Sequence, residues 1–150
     1  MMQSRYMGLD LGDATIGIAF SDDLGITAQS YETYRRVSKK RDIDYLVDLA
    51  CEKHIDTVVF GLPLLMNGDV GEQAQKTLDF IKSLEKKLKF TDKLDREIVV
   101  DTQDERFTSK YAEVLMREAD LTRKERAQKV DKIAAALILQ TYMDRRKVDS

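Results

Sequence analysis

The stretch Tyr6-Met7-Gly8-Leu9-Asp10-Leu11-Gly12 reads as an apolar strand with a carboxylate inside it. Period-two alternation puts Gly8, Asp10 and Gly12 on one face and Met7, Leu9 and Leu11 on the other. An ionised carboxylate isolated in a strand core is either strongly destabilising or driven neutral. Asp10 therefore calls for a cation, a hydrogen-bond cage or a metal. The glycines beside it leave room for a ligand or another backbone to come close. From spacing alone, a turn-forming Gly-Asp pair with Asp10 tied to a neighbouring amide explains the pattern equally well.

On either side of this strand the pattern is regular. Gly12-Asp13 offers a turn into a second strand over residues 15–21, where Ile16, Ile18 and Phe20 alternate with small or polar residues. Asp22-Asp23-Leu24-Gly25 is turn chemistry, and residues 26–34 give a third strand, so an antiparallel meander is expected. Ile43, Leu46, Val47 and Ala50 then repeat at helical spacing, which predicts an amphipathic helix over residues 41–53. Residues 57–63 form a short apolar strand stopped by Pro63. Ala74, Leu78, Ile81, Leu84 and Leu88 mark a second helix, and residues 96–102 a fifth strand. Tyr111, Ala112, Leu115, Met116 and Ala119 mark a third helix. Thr122-x-x-Glu125 is a capping box that opens a last helical region. Within it, Ile133 to Leu139 is apolar on nearly every side and is expected to be buried. Right-handed crossovers would lay strands four and five parallel to the first. The expected fold is α/β: a mixed five-stranded sheet in the order βββαβαβαα, flanked by helices.

The 150 residues fit one domain, 1–150, without a Pro/Gly/Ser-rich linker. A formal net charge of −2 argues against a protein coated in basic surface, so any nucleic-acid contact would have to be local. Candidate runs are Arg35, Arg36, Lys39, Lys40 and Arg41; Arg123, Lys124, Arg126 and Lys129; and Arg145, Arg146 and Lys147. Each such run is more often an ordinary solvated face. Cys51 is the sole cysteine and reads as a structural thiol, so there is no disulfide framework. His54 is the sole histidine, which removes Cys/His zinc sites and argues against a Ser-His-Asp arrangement. The start lacks a signal-peptide pattern and no apolar run reaches membrane-spanning length. A soluble cytoplasmic protein is expected.

Two further acidic positions lie beside apolar stretches: Asp104-Glu105-Arg106 after the fifth strand, and Asp131 in Lys129-Val130-Asp131. Strand ends in a parallel region are where ligands gather. Arg106 could neutralise either acid or grip a phosphate. Asp131 shares a helix face with Ala135 and Ile138, a face suited to packing on the sheet. Taken singly, the triplet could be a helix-entry charge cluster, and Asp131 an acid favoured by the helix dipole. Taken together, the acids point to chemistry. Two carboxylates about 4 Å apart repel by roughly 4 kcal/mol at an effective dielectric near 20. Mg²⁺ or Mn²⁺ would remove that penalty, and a pair of ions could activate water against a phosphodiester. The loop Gly61-Leu62-Pro63-Leu64-Leu65-Met66-Asn67-Gly68 is unusually apolar. It reads as a segment folded over the core, or else as a lid, a platform for a base or a subunit contact.

Four blocks carry a resemblance. They are Gly-x-Asp-x-Gly-x-x-x-Ile-Gly-x-Ala-x-Ser-Asp from Gly8 to Asp22, Gly-Leu-Pro-x-x-x-x-Gly from Gly61 to Gly68, Asp-Glu-Arg-x-Thr from Asp104 to Thr108, and Lys-Val-Asp-x-x-Ala-Ala-x-x-Ile-Leu from Lys129 to Leu139. In this order, across essentially the whole chain, they resemble the YqgF/RuvX family. The resemblance implies a ribonuclease-H-like fold related to the Holliday-junction resolvase RuvC. It also implies a nuclease that matures the 5′ end of pre-16S rRNA in ribosome biogenesis, with resolution of branched DNA as the alternative substrate. It assigns Asp10 as the first-strand catalytic acid, Glu105 (with Asp104 close behind) as the middle acid, and Asp131 as the acid on the last helix. Asp10, Glu105 and Asp131 are then the expected metal ligands, for two Mg²⁺ or Mn²⁺ ions. Arg106, Lys129, Arg123 and Lys124 are the expected nucleic-acid contacts, on a monomer or homodimer. Two departures stand out: Ala14-Thr15 where the family carries a basic residue, and Ser109 where a second threonine is common. The rival classes are an ATPase or phosphotransferase of the actin, Hsp70 and sugar-kinase kind, and a non-catalytic RNA-binding module. The first needs two such domains around ATP, and the chain has no Walker A sequence.

Overall fold

A computed structural model describes residues 4–94, 96–106 and 123–149, with side chains described in all of these except 123–132 and 147–149. The elements are β1 (Tyr6–Leu11), β2 (Thr15–Ser21), β3 (Ala28–Arg35), α1 (Lys39–Glu52), β4 (Thr57–Leu62), α2 (Glu72–Phe90), β5 (Val99–Asp104) and α3 (Arg123–Asp149). The helix expected around Tyr111 to Ala119 lies outside the described residues.

The five strands form one sheet in the order β3-β2-β1-β4-β5. β1 to β3 are the expected antiparallel meander, with a register shift between Ile18 and Ala19 where β2 meets β3. β4 and β5 run parallel to β1, which is what two crossover connections through α1 and α2 require. The C-terminal ends of β1, β4 and β5 therefore lie at one edge of the sheet.

Alternation along β1 and β2 divides the interior in two. Met7, Leu9, Ile16, Ile18, Val58 and Phe60 pack with Ile43, Leu46, Val47, Phe80 and Leu84 of α1 and α2. On the opposite face, Ala19 and Val59 meet Ala135, Ile138, Leu139, Tyr142 and Met143 of α3. That face is built for close approach: a Cβ added at Gly8 would come within 2.7 Å of Leu139 Cβ and 2.9 Å of the Ala135 carbonyl oxygen. The helix is not buried all round, as the sequence suggested. Ala134, Ala135, Ile138 and Leu139 are buried, while Ile133, Ala136 and Leu137 are half-buried.

Several boundaries differ from the sequence reading, each for a local reason. β3 begins two residues later than expected, because Asp22 Oδ1 accepts from the Ile26 and Thr27 amides and holds them in the turn. α1 begins at Lys39, since Ser38 is its N-cap and accepts from the Arg41 amide at 3.2 Å. At its other end His54 takes φ 55°, and the Ile55 amide donates back to the Ala50 carbonyl at 2.9 Å. The single histidine thus ends a helix in the left-handed conformation. β5 runs over Val99–Asp104 rather than residues 96–102, with Asp101 and Gln103 paired to Val59 and Gly61.

Candidate active site

β1 delivers Asp10 one residue before its end, opposite Gly17 of β2. β5 ends on Asp104, and the Glu105 amide donates to the Leu62 carbonyl at 3.2 Å, which extends the β4 pairing by one residue. This bond turns Glu105 inward, and the residue is only 8% exposed. Its carboxyl lies over Gly61: a Cβ there would sit 2.7 Å from Glu105 Oε2 and 2.4 Å from Ile138 Cδ1. Glycine at 61 is therefore a spatial requirement for Glu105.

Glu105 and Asp10 meet. Burial, first, and then the charges of Asp10 and Asp104 and a hydrogen bond with Asp10 push the Glu105 carboxyl up to about 8. Glu105 Oε2 is buried without a hydrogen-bond partner among the described residues. A buried acceptor in that state is destabilising unless another group arrives to satisfy it.

Asp104 behaves differently from its neighbour. Arg106 approaches it through Nε at 2.9 Å and Nη2 at 2.8 Å, and the Arg106 amide donates to its Oδ1 at 3.0 Å. The hydrogen bond from the Arg106 side chain holds its carboxyl below the usual range against the opposing effect of burial. Of the two acids offered by the sequence, Glu105 is thus the one turned towards Asp10. Arg106, expected to touch nucleic acid, directs its fork at Asp104, and its Nη1 donates to the Met66 carbonyl at 3.1 Å.

α3 packs on the sheet through Ala135, Ile138 and Leu139, and position 131 lies about one helical turn before Ala135. The Asp131 side chain, like those of Arg123, Lys124 and Lys129, lies outside the described residues. Among the described residues no cluster of three potential metal ligands is present. Asp10 and Glu105 form a pair.

The loop after β4 covers the core only at its start, where Pro63 and Leu64 are half-buried, rather than folding over it throughout as its apolar sequence suggests. Leu65, Met66 and Val70 are exposed. The loop is nonetheless well tied, with Leu65 and Gly68 amides donating to the Asp69 and Leu65 carbonyls and Gly68 at φ +92°. Two basic residues counted among solvated runs are also engaged. Arg36 pairs with the fully buried Asp42 at 2.9 Å, and Arg145 donates to Gln103 at 3.3 Å. A doubled arginine before a helix gave no sign of this, because its partner is visible only once α1 is placed.

A mixed 3-2-1-4-5 sheet with acids gathered at the C-terminal ends of its parallel strands defines the ribonuclease-H-like class. Solved structures agree on the fold. Thermus thermophilus RuvC in complex with Holliday junction substrate superposes with a TM-score of 0.60 at 13% identity, covering 99% of this chain and 98% of that one. The fowlpox virus resolvase in complex with junction DNA gives 0.55 at 11% identity, covering 95% and 98%.

Within that class the chain belongs to the RuvX family, whose model, described as Holliday junction resolvase, matches residues 4–145. A Syntrophomonas wolfei relative is 48% identical over 140 residues, covering 93% of this chain and 94% of its own. One from Natranaerobius thermophilus is 45% identical over 141 residues, covering 94% of each. Both carry the name "Putative pre-16S rRNA nuclease".

Proposed function

We propose that this chain is a divalent-metal-dependent endonuclease that cleaves phosphodiester bonds in the 5′ leader of pre-16S rRNA, in the cytoplasm. The observation that carries the reading is the half-buried Asp10 meeting the buried Glu105, whose Oε2 is unsatisfied among the described residues. An all-oxygen, acidic donor set suits Mg²⁺ or Mn²⁺. Asp10, Glu105 and Asp131 would hold the metal, as two ions or one. When bound, it would supply positive charge to the reacting phosphodiester.

The chain's own residues account for the rest. The Glu105 amide bond to Leu62 and the open space at Gly61 set the carboxyl in place. Arg106 holds Asp104 apart, so that two acids rather than three compete for the same buried volume. Arg123, Lys124 and Lys129, at the start of α3, would bind the nucleic-acid backbone. The description of the family model favours a second substrate, branched DNA, for the same carboxylates.

The decisive variant is Asp10→Asn. It is expected to abolish Mn²⁺-dependent cleavage of a 5′-extended 16S rRNA fragment while the melting curve and circular dichroism stay native. Undiminished cleavage by this variant sinks the proposal. Tight binding of the fragment without cleavage by the wild-type protein under any divalent ion would favour the binding module. Rapid ATP hydrolysis without nucleic acid would favour the phosphotransferase class.

A further inference from the structure

The turn that follows Asp10 is gripped from two sides, and the grips differ in kind. From one side come exposed contacts: Lys76 Nζ lies 3.3 Å from Asp13 Oδ1, and Gln73 Nε2 lies 3.5 Å from Asp13 Oδ2. The Lys76 and Asp13 side chains are at least half exposed, so this pair is weakly held. From the other side comes Arg36, which leaves β3 and reaches into the protein.

Arg36 is fixed through Nε and Nη1 of its guanidinium and through its backbone. Nε donates to Asp42 Oδ2 at 2.9 Å, and Nη1 donates to the Gly12 carbonyl at 2.9 Å. The group lies 5.4 Å from the centroid of the Phe80 ring. The Arg36 amide donates to the Ala14 carbonyl, also at 2.9 Å. Asp42 in turn is fully buried, and its Oδ1 accepts from the Tyr34 hydroxyl and the Val37 amide at 3.0 Å each. Every oxygen of that carboxylate is thus directed, which in turn directs Arg36. Gly12, where the fork ends, is two residues beyond Asp10, and its amide closes the turn on the Thr15 carbonyl at 2.8 Å. A planar fork can bridge a carboxylate and a carbonyl at once, whereas a lysine ammonium cannot reproduce both directions.

We propose that Arg36, oriented by Asp42, is a positioning residue that clamps the β1–β2 turn and so fixes where Asp10 stands. It acts through the backbone and touches no substrate. The inference rests on the nuclease reading for its catalytic consequence, and its structural half can be read without it. Small displacements of a reacting group reduce turnover far more than binding.

The test compares wild type with Arg36→Gln, Arg36→Lys, the isosteric Asp42→Asn and the control Lys76→Ala. It measures kcat and KM on the Mn²⁺-dependent substrate, and amide hydrogen exchange of the 8–17 segment by mass spectrometry. Both Arg36 variants and Asp42→Asn should lose about tenfold to a hundredfold in kcat with KM unchanged. Their turn should exchange faster than wild type, while Lys76→Ala should match wild type in both readouts. Wild-type kcat in Arg36→Gln, or turn exchange as slow as wild type, overturns the clamp. So does an equal loss in Lys76→Ala. If Arg36→Gln fails to fold, Asp42→Asn decides on the same readouts. A wild-type protein that cuts nothing, while the turn still loosens in Arg36→Gln and not in Lys76→Ala, sinks the nuclease reading and supports the clamp.

Discussion

The two faces of the sheet are built on opposite plans. Against α1 and α2 the strands present Met7, Leu9, Ile16, Ile18 and Phe60, large side chains that keep the helices at a distance. Against α3 they present Gly8, Ala19, Val59 and Gly61, so the helix comes close enough that even a methyl at position 8 or 61 would collide. The first face is stabilised by buried apolar volume. The second gives up volume to admit Asp10 and Glu105. A close helix and a buried acid belong together, because the approach that shuts out water also raises the cost of charge.

This contrast predicts opposite responses to substitution. The largest effect is expected on the apolar face: Leu84→Ala should lose about 2–5 kcal/mol in urea melts, since it empties a filled site. Its folded molecules should retain the wild-type kcat. Comparable loss of stability and of kcat together would break the division between the faces.

The second effect concerns pH. Glu105 carries a folded-state value of about 8 against an ordinary 4.5, so between these limits the folded state binds more protons than the unfolded. Stability of the metal-free protein should therefore fall as pH rises through that window and level off above it. Glu105→Gln should flatten the slope. A metal-free wild type with equal urea midpoints at pH 5 and pH 9 would contradict the burial of Glu105 beside Asp10.

The smallest effect is on the close-packed face, where adding volume is the damaging change. Gly8→Ala should destabilise by about 1–3 kcal/mol, because a backbone carbonyl and a Cβ must shift to make room. Cleavage should fall with it, since position 8 lies on the same strand face as Asp10. A Gly8→Ala protein as stable and as active as wild type would mean that the helix is less tightly seated than described.

Local patterns in the sequence carried the architecture but not its long-range ties. The alternation in β1 and β2 and the helical spacing of Ile43, Leu46, Val47 and Ala50 are short-range signals, and they placed the meander, α1 and the parallel strands. β5 is expected over residues 96–102, and nothing local shows that it runs on to Asp104 or what holds the polar Asp101 and Gln103 within it. Their side chains are satisfied by Tyr142, whose hydroxyl donates to Asp101 Oδ2 at 2.7 Å, and by Arg145. Those partners stand some forty positions away, beyond the reach of any local rule. At the site, motif resemblance pointed to Asp10, Glu105 and Asp104. The separation of Glu105 from Asp104 came only with the Arg106 pairing and the inward turn at Leu62. The Asp42–Arg36 tie was hidden for the same reason: the sequence shows a charge run, and only the packing of α1 against the end of β3 shows a buried pair.

The register shift between Ile18 and Ala19 has an effect at the rim of the molecule. It lies where β2 hands over to β3, an outermost strand whose free side would otherwise be a straight template for another chain. Such irregularities twist a border strand away from flat pairing, and the ionic side chains of Glu32 and Arg35 along β3 reinforce the mismatch. A border interrupted in this way is a poorer template for strand addition than a straight one.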